Sequence, residues 1–437
     1  MQILDTLRNA WTIKELRRKI LFTLLILVVF RIGSFLPVPY IDVEALRASM
    51  ESSANSGTMF EYLGILTGGA LSYGAIFAMS VTPYINSSII MQLLTVAIPY
   101  LERVAKEGEE GRRKIAKYTR FATVILGLIQ GIAFYFYLRN NDFVTYTAGF
   151  GGVFAAIVIV LCLTAGSAIM MWLGEQIDAK GIGNGISMLL FAGIISRGPE
   201  AAVTLWNYFY ELGIKQNQAK YIVLVPVLLV VFIALIGFIV WMTGAERRIP
   251  VQYAKRVVGR KMYGGQNTFM PIQVNMSGVM PIIFASSILS IPSTITAFMS
   301  NTESGWYKVL SLLNYQTVMY SVLYFALIIG FAYFYVQIQY NPVEMANNLR
   351  QNSGAIPGIR PGKPTVDFIK KILSRITLMG ALFLGVIAIL PIIVGSVGGI
   401  GVSLGGTSIL ILVGVALDTV RNLESQMLMR HYKGFLD

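Results

Sequence analysis

Four stretches of this chain, 150–173, 221–242, 318–336 and 376–397, contain no charged side chain. A helix needs about 20 predominantly apolar residues to cross the hydrocarbon of a bilayer, and runs of roughly 18 or more mark a spanning segment. A helix also satisfies its own backbone hydrogen bonds, which lipid cannot do for it. Composition points the same way: 55% of the 437 residues are hydrophobic, 13% are charged, and mean hydropathy is +0.65. Soluble domains carry roughly 25% charged residues, and a larger soluble surface would need more charge. The expectation is an all-α polytopic membrane protein.

Hydropathy predicts about ten spans, over 20–36, 72–99, 121–138, 150–173, 186–195, 221–242, 272–295, 318–336, 376–397 and 408–420. The fifth and tenth are short and flanked by glycine, so a re-entrant segment is an alternative for one of them. The opening residues 1–18 read as amphipathic without a cleavage-site pattern, and no removable signal is expected.

The net charge of +13 matters through its distribution. One side of the predicted topology holds Arg17, Arg18, Lys19, Arg112, Arg113, Lys114 and Lys117. The same side holds Arg247, Arg248, Lys255, Arg256, Arg260, Lys261, Arg360, Lys363, Lys370 and Lys371. Roughly 28 of the 35 Lys and Arg fall there, which makes that side, and both termini, cytoplasmic. The opposite loops carry Asp42, Glu44, Glu51, Glu61, Glu200 and Glu211 with few basic residues. Two cytoplasmic loops, 245–271 and 341–369, are longer than positive-inside anchoring requires. They are expected to form a docking surface for a soluble partner, with plain anchoring as the alternative.

The halves 1–199 and 220–437 are nearly equal, joined by an external hinge loop over 200–219. The second span of each carries a similar phrase: Val81-Thr82-Pro83-Tyr84-Ile85 in one, Val279-Met280-Pro281-Ile282-Ile283 in the other. About five spans per half in opposite topology is an inverted-repeat pattern that places a pathway between the halves. Chance similarity in apolar sequence accounts for the phrase equally well.

Catalytic patterns fare poorly. Gly401-Val402-Ser403-Leu404-Gly405 matches a nucleophile elbow, but the single histidine, His431, lies on the other side of the membrane, so no general base reaches Ser403. The segment from Gly358 to Thr365 has the wrong glycine spacing for a phosphate loop, and Pro364 follows Lys363. The lone Cys162 excludes an internal disulfide framework, and no cluster of zinc ligands is visible. The chain is expected to be no enzyme and to need no cofactor or metal. Charge is also scarce at mid-membrane, with Arg31 toward the outer end of the first span and Asp418 toward the inner end of the last, which counts against ion-coupled transport.

The spans instead hold apolar pairs one helical turn apart, Val81 with Ile85 and Ile186 with Leu190, beside the helix-weakening Pro83 and Gly185. Such residues can seal a pore by dewetting, or simply pack. Glu61-Tyr62-Leu63-Gly64-Ile65-Leu66-Thr67-Gly68-Gly69-Ala70-Leu71-Ser72 is apolar enough to bury and too broken to cross. It reads as a half-inserted segment lining a cavity or as an interfacial helix. Gln92, Gln130 and Asn275 are polar groups within spans that need partners, often on neighbouring helices.

Together these residues resemble the SecY family, the central channel subunits of bacterial Sec translocons. The similarity runs from Leu16 to the C-terminus through Phe30-Arg31-Ile32-Gly33-Ser34-Phe35, Thr67-Gly68-Gly69-Ala70-Leu71-Ser72 and Pro83-Tyr84-Ile85. It continues through Glu107-Gly108-Glu109, Gly111-Arg112-Arg113-Lys114, Trp172-Leu173-Gly174-Glu175-Gln176 and Gly181-Ile182-Gly183-Asn184-Gly185-Ile186-Ser187. Tyr253-Ala254-Lys255-Arg256, Pro357-Gly358-Ile359-Arg360-Pro361-Gly362 and Gly405-Gly406-Thr407-Ser408 complete it.

The resemblance implies a protein-conducting channel between two five-helix halves. It puts the pore ring on Val81, Ile85, Ile186, Leu190, Ile283 and Ile411; the family ring is mainly isoleucine, and Val81 and Leu190 differ in shape but stay apolar. It makes 62–72 the plug of the outer funnel. Spans two and three against seven and eight become a lateral gate, along which Ser87, Ser88, Gln92, Gln130, Asn275, Ser286 and Ser287 would lie. Lys255, Arg256, Arg260, Lys261 and Arg360 become the leading docking residues. Implied partners are SecE-like and SecG-like small membrane subunits, the SecA ATPase, the ribosome through RNA and protein at its exit site, secretory preproteins and membrane lipid. The location implied is the cytoplasmic membrane. A small-solute secondary transporter built on an inverted repeat is the competing reading.

Overall fold

The computed structural model describes residues 8–53, 64, 67–215, 219–253, 256–258, 261–263, 267–298, 305, 307, 310, 312–313, 317–398 and 406–433. Within the N-terminal half, α1 (Lys14–Gly33) ends where Ser34 turns its hydroxyl back to the Phe30 carbonyl at 2.9 Å. The short α2 (Val43–Ser53) follows, its first turn capped by Asp42, which accepts from the Ala45 amide at 3.0 Å. Then come α3 (Thr82–Ala97) and α4 (Pro99–Lys106), bent by 101° from one another. The bend sits at Pro99, which removes an amide donor and drives Ile98 into the extended region. Leu101 and Val104 face inward on α4 while Glu102, Arg103 and Lys106 stay outside, so α4 is an amphipathic surface turn.

The long α5 (Glu109–Asn140) starts after Gly108, whose φ of 76° suits glycine, and carries Glu109 and Glu110 in its first turn, where the helix dipole favours them. It packs antiparallel against α6 (Gly149–Lys180) and also against α3. After a tight turn comes α7 (Gly185–Ser196), capped by the Asn184 side chain, which accepts from the Ser187 amide at 3.1 Å. The expected external loop over 200–219 is largely helical: α8 (Gly198–Asn207) runs into a π-helical segment (Tyr208–Lys215). Pro199 is well placed for this, since proline fits the first turn of a helix.

In the C-terminal half, α9 (Ala219–Gly244) leads into an excursion of β1 (Glu246–Tyr253), β2 (Arg256–Val258), β3 (Lys261–Tyr263) and β4 (Asn267–Gln273). The helices α10 (Met280–Phe298), α11 (Val318–Gln339) and α12 (Pro342–Gln351) follow, then the short β5 (Gly354–Ala355), α13 (Lys363–Gly398) and α14 (Gly406–Lys433). A three-stranded sheet has the order β4-β1-β5, with Arg248 opposite Pro271 and Gln252 opposite both Asn267 and Ala355. Both long basic loops therefore meet in one folded unit. Its own apolar core includes Ile249, Ile272, Ile356, Ile369 and Leu373.

Among the described residues, six helical segments are long and apolar enough to cross a membrane, or seven with α3 and α4 counted as one bent span. The expected first, seventh and tenth spans correspond to α1, α10 and α14, in which charged or proline-bearing turns flank the apolar stretch. Expected boundaries shift in two places. The second span begins at Thr82, after a run of turns, and the seventh begins at Met280, because the residues up to Gln273 belong to β4. The tenth is longer than its apolar part, since α14 continues through charged turns to Lys433. On α9, Val223, Val227, Val230 and Ile233 are all exposed. A water-soluble protein avoids such a continuous apolar face; lipid favours it.

The two halves share one local device. Ser80 (φ 48°) precedes Val81-Thr82-Pro83, and Gly278 (φ 60°) precedes Val279-Met280-Pro281. Each second-span helix thus starts after a left-handed residue, with proline in its first turn. The repeated phrase marks a repeated backbone turn, and Ile85 and Ile283 sit at the same place in it.

Candidate functional site

One buried apolar cluster joins the halves, and every expected ring residue belongs to it. Val81, Leu190, Ile283 and Ile411 are buried members; Ile85 and Ile186 are partly buried and pack on them. These side chains come from the start of α3, from α7, from α10 and from α14. Close backbone approaches set their positions. A side chain on Gly185 would run into the Gly174 carbonyl, and one on Gly174 would displace the Ile186 Cδ1 atom. On the opposite side, Val279 lies 3.1 Å from where Gly414 would carry a Cβ. An apolar constriction between packed helices excludes water and ions while binding nothing tightly.

Residues 67–81 sit against this ring, and Ala70, Ala75 and Phe77 belong to the same cluster. Of the expected plug, Gly64 and Thr67 to Ser72 are described and nearly all buried; Tyr62, Leu63, Ile65 and Leu66 lie outside the described residues. The segment does not end at Ser72, the expected start of the second span, but continues as turns to Ser80. Positive φ at Gly68, Gly69, Gly74 and Ser80 explains the difference, because no regular helix tolerates that pattern.

Several contacts seat the segment. Ala75 bridges Pro37, the Val38 amide donates to the Gly74 carbonyl, and the Ile76 amide donates to the Leu36 carbonyl, both at 2.9 Å. Phe77 stacks on Phe30 at 6.4 Å and fills the space where Gly33 has no side chain. Gly166 of α6 meets the Ile76 backbone in the same way. Arg31 donates to the Gly68 carbonyl at 2.9 Å, and Ser196 Oγ approaches the same oxygen at 3.4 Å. The guanidinium of Arg197 lies within 3.8 Å of the Cβ positions that Gly64 and Gly69 leave empty. Sequence reasoning missed Ser196 and Arg197, and assigned Arg31 only an interfacial role. A lone arginine at a span end carries no signal beyond positive charge.

At the expected lateral gate, α10 contacts both α3 and α5. Ser87 is fully buried and its hydroxyl has no hydrogen-bond partner among the described residues. Ser88 is 3.4 Å from the Gln92 amide, and Gln130 is partly buried. Ser286 turns its hydroxyl to the Ile283 carbonyl at 2.9 Å, and the Ser287 carbonyl accepts from Ser290. Asn275 is also buried with its Oδ1 unpaired, but it sits where Gly380 of α13 makes room for the backbone.

In the expected docking surface, Arg360 is exposed, in the turn before α13, and its carbonyl accepts from Thr365 Oγ1 at 2.9 Å. Arg256 and Lys261 fall in the β2–β3 hairpin, while Lys255 and Arg260 lie outside the described residues. So does the Gly401–Gly405 motif. A further seam joins α14 to the N-terminal half: Ile182 packs with Leu16 and Leu423, and the Ile182 amide donates to Thr23 Oγ1 at 3.1 Å. Lys19 donates to Gln426 at 3.0 Å in the same region.

The family model of SecY matches residues 75–420 of the chain. The protein translocase subunit SecY of Halalkalibacterium halodurans is 44% identical over 437 residues, covering 99% of each chain. That of Streptomyces coelicolor is 41% identical over 446 residues, covering 99% of this chain and 100% of its own. Among solved structures, one described as a protein conducting channel superposes with a TM-score of 0.62 at 18% identity, covering 94% of this chain and 92% of its own.

Proposed function

The chain belongs to the SecY family of protein translocase subunits, and from that membership we propose that it passes unfolded secretory polypeptides across the cytoplasmic membrane and releases signal sequences and membrane helices sideways into lipid. The observation that carries this reading is the single apolar cluster formed by Val81, Ile85, Ile186, Leu190, Ile283 and Ile411, with residues 67–81 packed against it. Aliphatic side chains grip an extended chain of any sequence without a deep well, and when the ring is empty their constriction resists wetting. The plug closes the outer funnel. A signal sequence parts α10 from α3 and α5, where a buried serine without a partner lowers the cost of separation.

Directionality comes from partners. The folded cytoplasmic unit around β1, β4 and β5, with Arg360 exposed beside it, offers a basic docking face for a SecA-type motor or for ribosomal RNA and protein. SecE-like and SecG-like subunits complete the translocon, and both termini face the cytoplasm. The chain supplies the path and its seal, and no chemistry of its own.

The test is an arrested translocation intermediate in a Cys162→Ser background, with single cysteines at Ile85 or Ile283. The expected result is a crosslink to the arrested polypeptide from each position, and none from a lipid-facing control such as Val230. Absence of crosslinks at both ring positions removes the pore assignment.

A further inference from the structure

We propose that the Gly68 carbonyl is the latch point of the plug, and that Arg31 and Arg197 are the positioning residues that set how readily the plug leaves its seat. This rests on the plug reading above. Among the described residues, every polar tie of segment 67–81 runs to the N-terminal half. Arg31 and Ser196 converge on the Gly68 oxygen, while Val38 and Leu36 pair with Gly74 and Ile76. Arg47 lies over the Tyr73 ring at 5.5 Å, also from that half. The buried C-terminal residues that share the segment's cluster, Ile283, Ile411 and Val415, are apolar.

The consequence is an asymmetric hold. Among the described residues no hydrogen bond ties segment 67–81 to the C-terminal half, so the polar resistance to its release resides on the N-terminal side. The charge-assisted bond from Arg31 is the strongest single tie, because an ionised donor on a buried carbonyl outweighs a neutral pair. Arg31 is itself held in place, with its guanidinium 4.3 Å from the Phe35 ring centre. Arg197 acts as a wall: its guanidinium occupies the space beside Gly64 and Gly69, and its Nε lies 3.2 Å from the Glu200 carboxylate. The glycines are required twice over, since Gly68 and Gly69 have φ of 65° and 87° and Gly68 also meets the Gly193 backbone.

The experiment uses the full chain in spheroplasts, with Cys162→Ser and Ala70→Cys; Ala70 is fully buried. A membrane-impermeant thiol reagent is added from outside. Slow labelling of this parent is expected, and fast labelling would overturn the plug reading itself. With a slow parent, Arg31→Gln and Arg197→Ala are each expected to raise the labelling rate about tenfold, with greater resting ion leak and acceptance of preproteins bearing defective signals. Arg31→Lys, which keeps a charged donor, should stay closer to the parent. Unchanged labelling and leak in both variants would overturn the latch. So would faster labelling accompanied by loss of normal preprotein export, which would make the two arginines structural supports.

Discussion

Gly185, at the start of α7, lies directly against the carbonyl of Gly174 in α6, so closely that a side chain on Gly185 would strike it, while one on Gly174 would meet the Ile186 Cδ1 atom. The contact brings the two helices of this hairpin together at backbone distance and presses Ile186 toward the ring cluster.

Gly174→Val is therefore expected to push Ile186 off its seat and to cost about 1–3 kcal/mol, the usual range for overpacking. Thermal unfolding of the purified protein should show the loss, and resting ion leak should rise with it. A variant that is as stable and as tight as the parent would mean that the hairpin repacks freely.

Within the ring itself, Ile85→Asn or Ile283→Asn adds an amide to an apolar constriction. Both residues belong to the cluster that joins the halves. A polar group should remove the dewetting barrier, raising ion conductance and loosening signal-sequence selection. Conductance recordings and export of preproteins with defective signals measure the two effects.

The seam around Ile182 offers a stability test outside the cluster that holds Ile85 and Ile283. Thr23 Oγ1 accepts from the buried Ile182 amide and donates to the Lys19 carbonyl, both near 3 Å. Thr23→Val leaves that amide without an acceptor, at an expected cost of about 1–3 kcal/mol. Thr23→Ser should be far milder, and denaturation of the two variants side by side gives the comparison.

Arg360→Glu reverses the charge of an exposed side chain while leaving the Thr365-to-carbonyl bond in place. Motor-driven export should fall more than membrane integration does. Equal loss of both would point to misfolding of the loop.

Much of this protein is legible in its sequence because the bilayer is a demanding solvent. Charge-free runs such as 221–242 have to be helices, and basic loops have to stay on one side. The phrase shared by Val81–Ile85 and Val279–Ile283 pointed to a repeat, and the left-handed residues Ser80 and Gly278 give that phrase its backbone meaning. Periodicity did not extend to turns. The stretch before Thr82 is as apolar as a span but takes positive φ at four positions, so hydropathy overran it.

The seal was beyond sequence spacing for a different reason. Val81 and Ile411 stand at opposite ends of the chain, and a valine and an isoleucine on apolar helices read as ordinary packing wherever they occur. Resemblance to a family named them, but their meeting in one cluster depends on six helical segments converging, with glycines at 174, 185 and 414 setting the approach. Arg31 and Arg197 show the same limit. Their charge was visible from the start, yet a guanidinium becomes a clasp only when folding brings the Gly68 carbonyl within hydrogen-bond reach of one and two side-chain-free glycines beside the other. Local residue chemistry determined what this chain had to be, a bundle of spanning helices with a cytoplasmic face. Long-range contact decided which of its many apolar residues gather into the cluster between the halves, because such a cluster is a property of side chains that have met.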